Sequence, residues 1–594
     1  MPPPTQLAPR IYLKFNGTDA SEQVTDAIVS VEVDDSLTLP DMFAIHLRDP
    51  NLQWIDADTF SIGTPVEVSS RNGNAEVTLL KGEITAIEPR MNSTLGPTVL
   101  VRGYDKAHRL NRDRKTQSFL QMTDSDIASR VAQGASLQAQ TDSTQQVHDH
   151  VIQDNQTDWE FLASRAGRVG FRVYVVDSTL HFKQLPSSGS QATLEWAADL
   201  MEFNARLTSA HQVTEVAVQG WDPANQQQIV GRATQPNDTP QIGQNQQGPA
   251  VAQQAFGQAK EIVVNRPVVT QAEADAMAQA ICDELGQGFV EADCVSLGNP
   301  AVKAGVLVRL NGLGNRFSGT YRVMHSLHRY DESGYKTEFT IGSPHTATIS
   351  ELLSDMTHTT PATWGPMLGV ITNNSDPDDL GRVKVKLPCL KSDIESNWAR
   401  LVAPGAGTTR GMQFIPEVND EVMVAFEHGD INRPLVIGGL WSQNIALPKA
   451  NSQCISGGNV NERIIQSRSG HVIILGDEQG SEKITIRDKT GKNEVVIDSA
   501  QNTMTVKCEQ DITVEAKGKI NVKSTTGDMA FEGNNMEIKA RQNFKVQATG
   551  SCEIKSTSSC TVEGTAGLTL KNAAAQIALS GPTVNVNNGA LEVM

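Results

Sequence analysis

Residues 504–522 read Met504-Thr505-Val506-Lys507-Cys508-Glu509-Gln510-Asp511-Ile512-Thr513-Val514-Glu515-Ala516-Lys517-Gly518-Lys519-Ile520-Asn521-Val522. Two apolar residues flank a polar one, and the pattern restarts eight residues on. The pairs continue as Met529/Phe531, Met536/Ile538, Phe544/Val546, Cys552/Ile554, Cys560/Val562, Leu568/Leu570, Ile577/Leu579, Val584/Val586 and Leu591/Val593. On a strict step of eight from 504 to 568, with the partner two residues on, seventeen of eighteen positions are apolar. At 39% apolar content, about seven would be filled by chance. Only Asp528 fails, and there the pair slips to Met529/Phe531 and recovers at Met536. Period two within a unit means a short strand with one buried face. Period eight between units means a tight turn after each strand, with Gly518, Gly527, Gly533, Gly550, Gly564 and Gly581 in or near the turns.

An eight-residue coil is too short to close around a core, so the inward faces need further copies of the chain. The expected form is a three-sided prism of three interleaved chains, a triple-stranded β-helix made by a homotrimer. Its core is expected to be Met504, Val506, Ile512, Val514, Ile520, Val522, Met529, Phe531, Met536, Ile538, Phe544, Val546, Cys552, Ile554, Cys560, Val562, Leu568, Leu570, Ile577, Leu579, Val584 and Val586. Twelve units at ~4.8 Å per strand give a needle of roughly 55–60 Å. A single-chain solenoid is the weaker reading, because solenoid coils use longer repeats to enclose a core. Cys552 and Cys560 fall on inward positions, where a free thiol acts as a small hydrophobe.

The rest of the chain is folded and mainly β. With 594 residues, several domains are expected. A net charge of −18 argues against a nucleic-acid or anionic-membrane partner. Seven scattered cysteines without a Cys-x-x-Cys fit synthesis in a reducing cytoplasm. The opening Met1-Pro2-Pro3-Pro4-Thr5 lacks a basic-then-apolar leader, so no signal peptide is expected. Residues 10–110 read as strands. Helices are expected over 123–137, from 157–158 onward with Trp159, Leu162 and Ala166 inward, and over 270–285 behind a Thr270-x-x-Glu273 cap. The Gln/Asn/Gly/Pro-rich stretch 222–259 reads as a long exposed excursion. The resulting segmentation is 1–348, a linker at 349–368, a compact β module at 369–445, a bridging β segment at 446–503, and the repeats at 504–594.

The module after residue 368 carries Gly369-Val370-Ile371-Thr372-Asn373-Asn374, Asp376-Pro377-Asp378-Asp379-Leu380-Gly381-Arg382-Val383-Lys384-Val385, Trp398-Ala399-Arg400, Phe414-Ile415-Pro416-Glu417 and Gly429-Asp430 before Arg433-Pro434. It resembles the OB-fold of contractile phage spikes and related injection systems. It looks nearer to phage gene V products and extracellular contractile injection systems than to the type VI tip protein VgrG. Arg102-Gly103-Tyr104-Asp105-Lys106-Ala107-His108-Arg109-Leu110, Met122-Thr123-Asp124-Ser125-Asp126 and Asn155-Gln156-Thr157-Asp158-Trp159-Glu160-Phe161-Leu162 resemble the phage late-control protein D family, the hub of the same machines. The resemblance implies a trimeric hub fused to an OB collar and a needle. It also implies contacts with an inner tube protein and baseplate proteins, and a separate PAAR-like tip cap on Leu591, Val593 and Met594. It further implies transient contact with the target membrane and incorporation in a phage-tail-like particle.

No catalytic, cofactor-binding or metal residues are expected. The 440–469 stretch leaves no room for a lysozyme-like insert. His108, His148 and His150 with Asp105 and Asp149 can be drawn as a metal or acid–base cluster, but they read better as structural residues. Asp376-Pro377-Asp378-Asp379 lacks the spaced ligands of a calcium loop and reads as a turn. Arg382, Lys384 and Lys386 lack interleaved aromatics in the sequence, so a solvated face or trimer contact is expected there, not a single-strand nucleic-acid face. A glycan-cleaving tailspike enzyme and a trimeric adhesin are the alternatives. The first needs paired carboxylates in a groove, the second a receptor-binding head.

Overall fold

The computed structural model describes residues 11–72, 75–94, 96–190, 192–222, 225–243, 247–268, 270–342, 364–391, 394–571, 573 and 576–579. Two compact units result, one of residues 1–466 with 474–482 and one of 467–473 with 483–594.

The first unit is built on a long sheet. Its path runs Leu200–Leu207, Val290–Leu297, Gly334–Ile341, Gly319–Asp331, Ile28–Ser36, Met42–Arg48, Thr98–Asp105, Ala75–Arg90, Pro65–Asn72, Ile11–Phe15 and Thr18–Asp19. The decisive pairing is antiparallel, with His325 opposite Ser36 and Tyr330 opposite Val31. It joins segments almost three hundred residues apart. Alternation explains each strand locally: Val31 and Val33 are buried among Phe43, Ile45 and Val101. At Gly103 an added Cβ would lie 2.0 Å from the Glu83 carbonyl oxygen and 2.4 Å from the Phe43 ring, so only glycine fits.

Helix starts obey their caps. Asp124–Gly134 opens with a Thr123–Asp126 capping box, and Asp158–Arg168 with a Thr157–Glu160 box. Trp159, Phe161, Leu162 and Ala166 of the second helix are buried. Thr270 accepts from the Glu273 amide ahead of Gln271–Gln287, and the Glu273 carboxylate receives Arg168 (2.7 Å). This last helix packs on Glu215–Asp222 and Gln227–Ala233 through Met277, Ala274 and Ala278.

The 222–259 stretch is not simply an exposed excursion. Gln227–Ala233 pairs antiparallel with Glu215–Asp222, and Ile229 and Ala233 are buried. Gly248–Phe256 is a helix with Ala252 buried. A few apolar residues at strand and helix spacing outweigh the polar composition around them.

The β module is a five-stranded sheet in the order Lys384–Lys386, Met367–Asn373, Glu421–Phe426, Pro434–Gly439, Arg400–Leu401. Its first strand begins at Met367, two residues before the expected boundary. Most of the expected linker lies outside the described residues. Ile371, Val383, Val385, Val422, Val424 and Val436 fill the barrel, joined by Ile152 from Val147–Thr157. The Ile152 amide also donates to Asn432 Oδ1 at 2.7 Å. Val151, the preceding residue, points into the other core, with Phe119 and Phe161. One strand thus serves two hydrophobic cores from its two faces.

The second unit contains an antiparallel meander, Lys483–Arg487, Glu494–Asp498 and Thr503–Lys507. Met504 and Val506, the first pair of the repeat, therefore sit opposite Ile497 and Val495. From 508 to 567 the chain forms no strand. Leu568–Lys571 and Gln576–Leu579 make an antiparallel hairpin, with Leu568 opposite Leu579 and Leu570 opposite Ile577. The expected progression from face to face is replaced there by a local return, the nearest source of backbone partners within one chain.

Candidate functional site

The repeat segment turns at regular intervals. Bends fall at 509–510, 517–518, 525–527, 534, 541–542, 549–550, 557–558 and 565–566. The bend at 525–527 is one residue longer than the bend before it at 517–518, just where Asp528 breaks the grid, so the slip is taken up in the turn. Between bends the chain is extended. Glu537 and Lys539 pair at 2.6 Å, as do Glu553 and Lys555 at 2.5 Å. These i,i+2 pairs lie on the side opposite Met536/Ile538 and Ile554.

The apolar side has no cover in one chain. Val514 is 72% exposed, Val546 68% and Ile554 78%, and Ile512, Ile520, Val522, Met529, Phe531, Met536, Ile538, Phe544 and Val562 are exposed as well. Cys552 and Cys560 are free and exposed. Scattered exposed apolar residues need no explanation, but a continuous stripe marks a surface awaiting a partner. The sequence reading missed its first part: Ile484, Ile486 and Ile497 share a meander face with Met504 and Val506, and all five are exposed. The alternation in Ile484-Thr485-Ile486 carried that signal. Val584, Val586, Leu591, Val593 and Met594 lie outside the described residues, as do the side chains of Ile577 and Leu579. A second missed surface is on the OB module, where Val402, Met412, Phe414, Ile415, Val418 and Trp441 are exposed.

The histidines and aspartates that could be drawn as one cluster are dispersed. His108 contacts Glu83 Oε2 (3.3 Å), which also receives Arg109 Nε (3.0 Å). His148 Nε2 lies 3.2 Å from Asp124 Oδ2 and 2.8 Å from Arg165 Nη2. His150 is buried near Glu395 and Lys384, and burial lowers its pKa. Asp149 receives Gln121 at 3.0 Å. Among the described residues, no group of three His, Cys, Asp or Glu side chains has metal-binding geometry.

Asp376 Oδ1 accepts from the Asp378 amide, and Oδ2 from the Leu380 and Arg382 amides. Its carboxylate also grips Arg382 (Nη2–Oδ1 2.6 Å), a hydrogen bond that holds it well below the usual carboxylate range. This is a turn stapled by its own arginine. Arg382 and Lys384 lie over the Trp398 ring, at 5.8 and 5.5 Å from its centroid. An aromatic is therefore interleaved after all, supplied by a segment fourteen residues on. Lys384 is also paired with Glu395 (2.8 Å), so acidic partners occupy both cations.

Asp105 lines a cavity of about 430 Å³ with Asp35, Asp41 and Lys303. Its Oδ1 caps the Ala107 amide at 3.1 Å, and burial pushes its pKa up to about 8. Burial also raises Asp35 and Asp41. A carboxyl raised in the folded state stabilises fully below its unfolded pKa, ~3.9, and loses that contribution as pH rises toward the folded value. Between pH 5 and 8 the melting temperature of wild type should fall relative to that of Asp105→Asn, which keeps the cap acceptor. At up to ~1.4 kcal/mol per pKa unit the divergence reaches a few kcal/mol. Parallel melting curves across that interval would show that Asp105 is ionised.

Residues 10–332, more than half the chain, match the family described as the Alg8 N-terminal domain. The chain belongs to the Alg8 N-terminal domain family. In this Alg8-type chain, residues 367–441 match a second family, the type VI secretion system/phage-baseplate injector OB domain. The chain is similar to the type VI secretion system spike protein VgrG3 of Vibrio cholerae, 24% identical over 163 residues, or 26% of this chain and 16% of that protein. It is also similar to VgrG5 of Pseudomonas aeruginosa, 31% identical over 156 residues, covering 23% and 19%. The matched stretch thus spans about a fifth of these curated relatives. Among solved structures, the Escherichia coli type VI component c3393 aligns at TM-score 0.46 and 14% identity, covering 72% of this chain and 99% of that one. The Francisella PdpA–VgrG complex aligns at TM-score 0.48 and 11% identity, covering 84% and 80%.

Proposed function

We propose that three copies of this Alg8-type chain assemble into the central spike of a contractile injection machine. Residues 1–348 form the hub, 369–445 the collar and 504–594 the needle. The observation that carries this reading is the uncovered stripe, which recurs every eight residues and meets nothing in its own chain. Threefold winding would bury each stripe against the other two and pair every extended segment with strands of its neighbours, leaving no free sheet edge. The exposed apolar residues of the OB module, Phe414 and Ile415 among them, would meet the other copies at the collar. The second family match supports the assignment, because an injector OB domain at 367–441 follows the Alg8-type region 10–332 on one chain.

The work of such a part is mechanical. A prism closed on itself transmits axial load through continuous backbone pairing. The inner tube protein and baseplate would hold the hub, a separate PAAR-like cap would sit on Leu591, Val593 and Met594, and the needle would meet the target membrane only in passage. The reading assigns no catalytic residue. Electron microscopy of the purified full chain tests it: three-fold averages with a thin projection of roughly 55–60 Å are expected. Particles without three-fold symmetry or projection would refute it.

A further inference from the structure

Cys552 and Cys560 hold the same position in consecutive repeats, and the bends at 549–550, 557–558 and 565–566 keep a strict step of eight around them. In the trimer proposed above, on which this inference rests, three-fold symmetry sets the three copies of a repeat at one height. Successive repeats climb by one strand, ~4.8 Å. On each face, the strand bearing one chain's Cys560 then lies directly on the strand bearing a neighbour's Cys552. Six thiols line two adjacent layers of the interior.

Side-chain bulk supplies a second observation. The described first positions of the other repeats are Ile512, Ile520, Met529, Met536, Phe544 and Leu568, each larger than cysteine. Two successive cysteine layers leave a gap in an otherwise filled column, and close-packed interiors do not keep such gaps without cost. A gap walled by thiols suits a soft cation.

We propose that the inward thiols of Cys552 and Cys560 from three chains bind a soft or borderline cation of the Zn²⁺, Cd²⁺ or Cu⁺ class inside the needle. Each thiol that binds does so as thiolate and releases its proton to solvent. Distances favour a metal over a disulfide. In-register thiols on neighbouring strands are ~4.8 Å apart, and side-chain rotation closes this to the ~3.8 Å between two sulfurs held tetrahedrally at ~2.3 Å from one cation. A disulfide needs Cβ atoms at ~3.5–4.5 Å, closer than the strand spacing offers. Within one chain the two thiols lie on different segments and neither is bonded, so the site exists only between chains.

The test is expression of the full chain in medium supplemented with zinc or cadmium, so that cation is present during assembly. Elemental analysis and mass in solution are then measured on the same sample. At least one tightly held cation per trimer is expected. Cys552→Ser and Cys560→Ser should each cut retention tenfold or more, while Cys508→Ser, at a corner, leaves it unchanged. A trimer of normal mass that retains no more metal than the Cys552→Ser/Cys560→Ser double variant overturns the metal site and leaves the spike reading standing. So does a metal-free trimer joined by disulfides. A monomer overturns both.

Discussion

Val546→Asp is expected to abolish stable assembly of the needle. Val546 is 68% exposed in one chain, on the same extended segment as Phe544. In the proposed trimer its side chain would face the axis, so a single substitution would place three carboxylates in one dry layer. An unpaired buried carboxylate costs several kcal/mol even after relaxation, and three at one height repel each other as well. The expected result is loss of the trimer, or a trimer that dissociates in mild detergent where wild type persists. Lys545→Asp is the control, because its side chain points outward. If Val546→Asp assembled and melted like wild type, the inward assignment of the whole stripe would be wrong.

Asp124→Ala is expected to destabilise the first unit by ~3–5 kcal/mol, a fall in melting temperature of roughly 10 °C. Asp124 is buried at the first position of its helix, with its carboxylate 2.6 Å from Arg165 Nε. Burial opposes its charge, but hydrogen bonds from His148 and Arg165 outweigh burial and hold its pKa below the usual value. Alanine would leave the buried Arg165 guanidinium without its counter-charge, and that orphaned charge, more than the lost pair, sets the cost. Asp124→Leu with Arg165→Met should therefore recover much of the loss. A single variant as stable as wild type would show that the pair is solvated.

The features that were legible in sequence are those written in local patterns. The Thr123–Asp126 and Thr157–Glu160 caps begin their helices where the side chains allow, and the repeat corners fall at the expected step. The OB strands from Ile371, Val422 and Val436 follow plain alternation. Features that depend on distant partners were not legible. The pairing of His325 with Ser36 follows from closing a sheet, which no short window records. Ile152 reads as an ordinary strand residue, and only the assembled barrel shows that it fills the OB core. Trp398 lies outside the strand bearing Arg382 and Lys384, so a scan for interleaved aromatics along that strand misses it. The 222–259 stretch misleads because its Gln, Asn and Pro content hides Ile229 and Ala233 at alternating positions.

The mass of the full-length chain in solution bears most directly on whether its apolar stripe is an interface between copies. Light scattering on the purified protein at moderate salt should give three times the 64.2 kDa chain mass, with no monomer on dilution. A well-folded, soluble monomer at that mass would contradict the account.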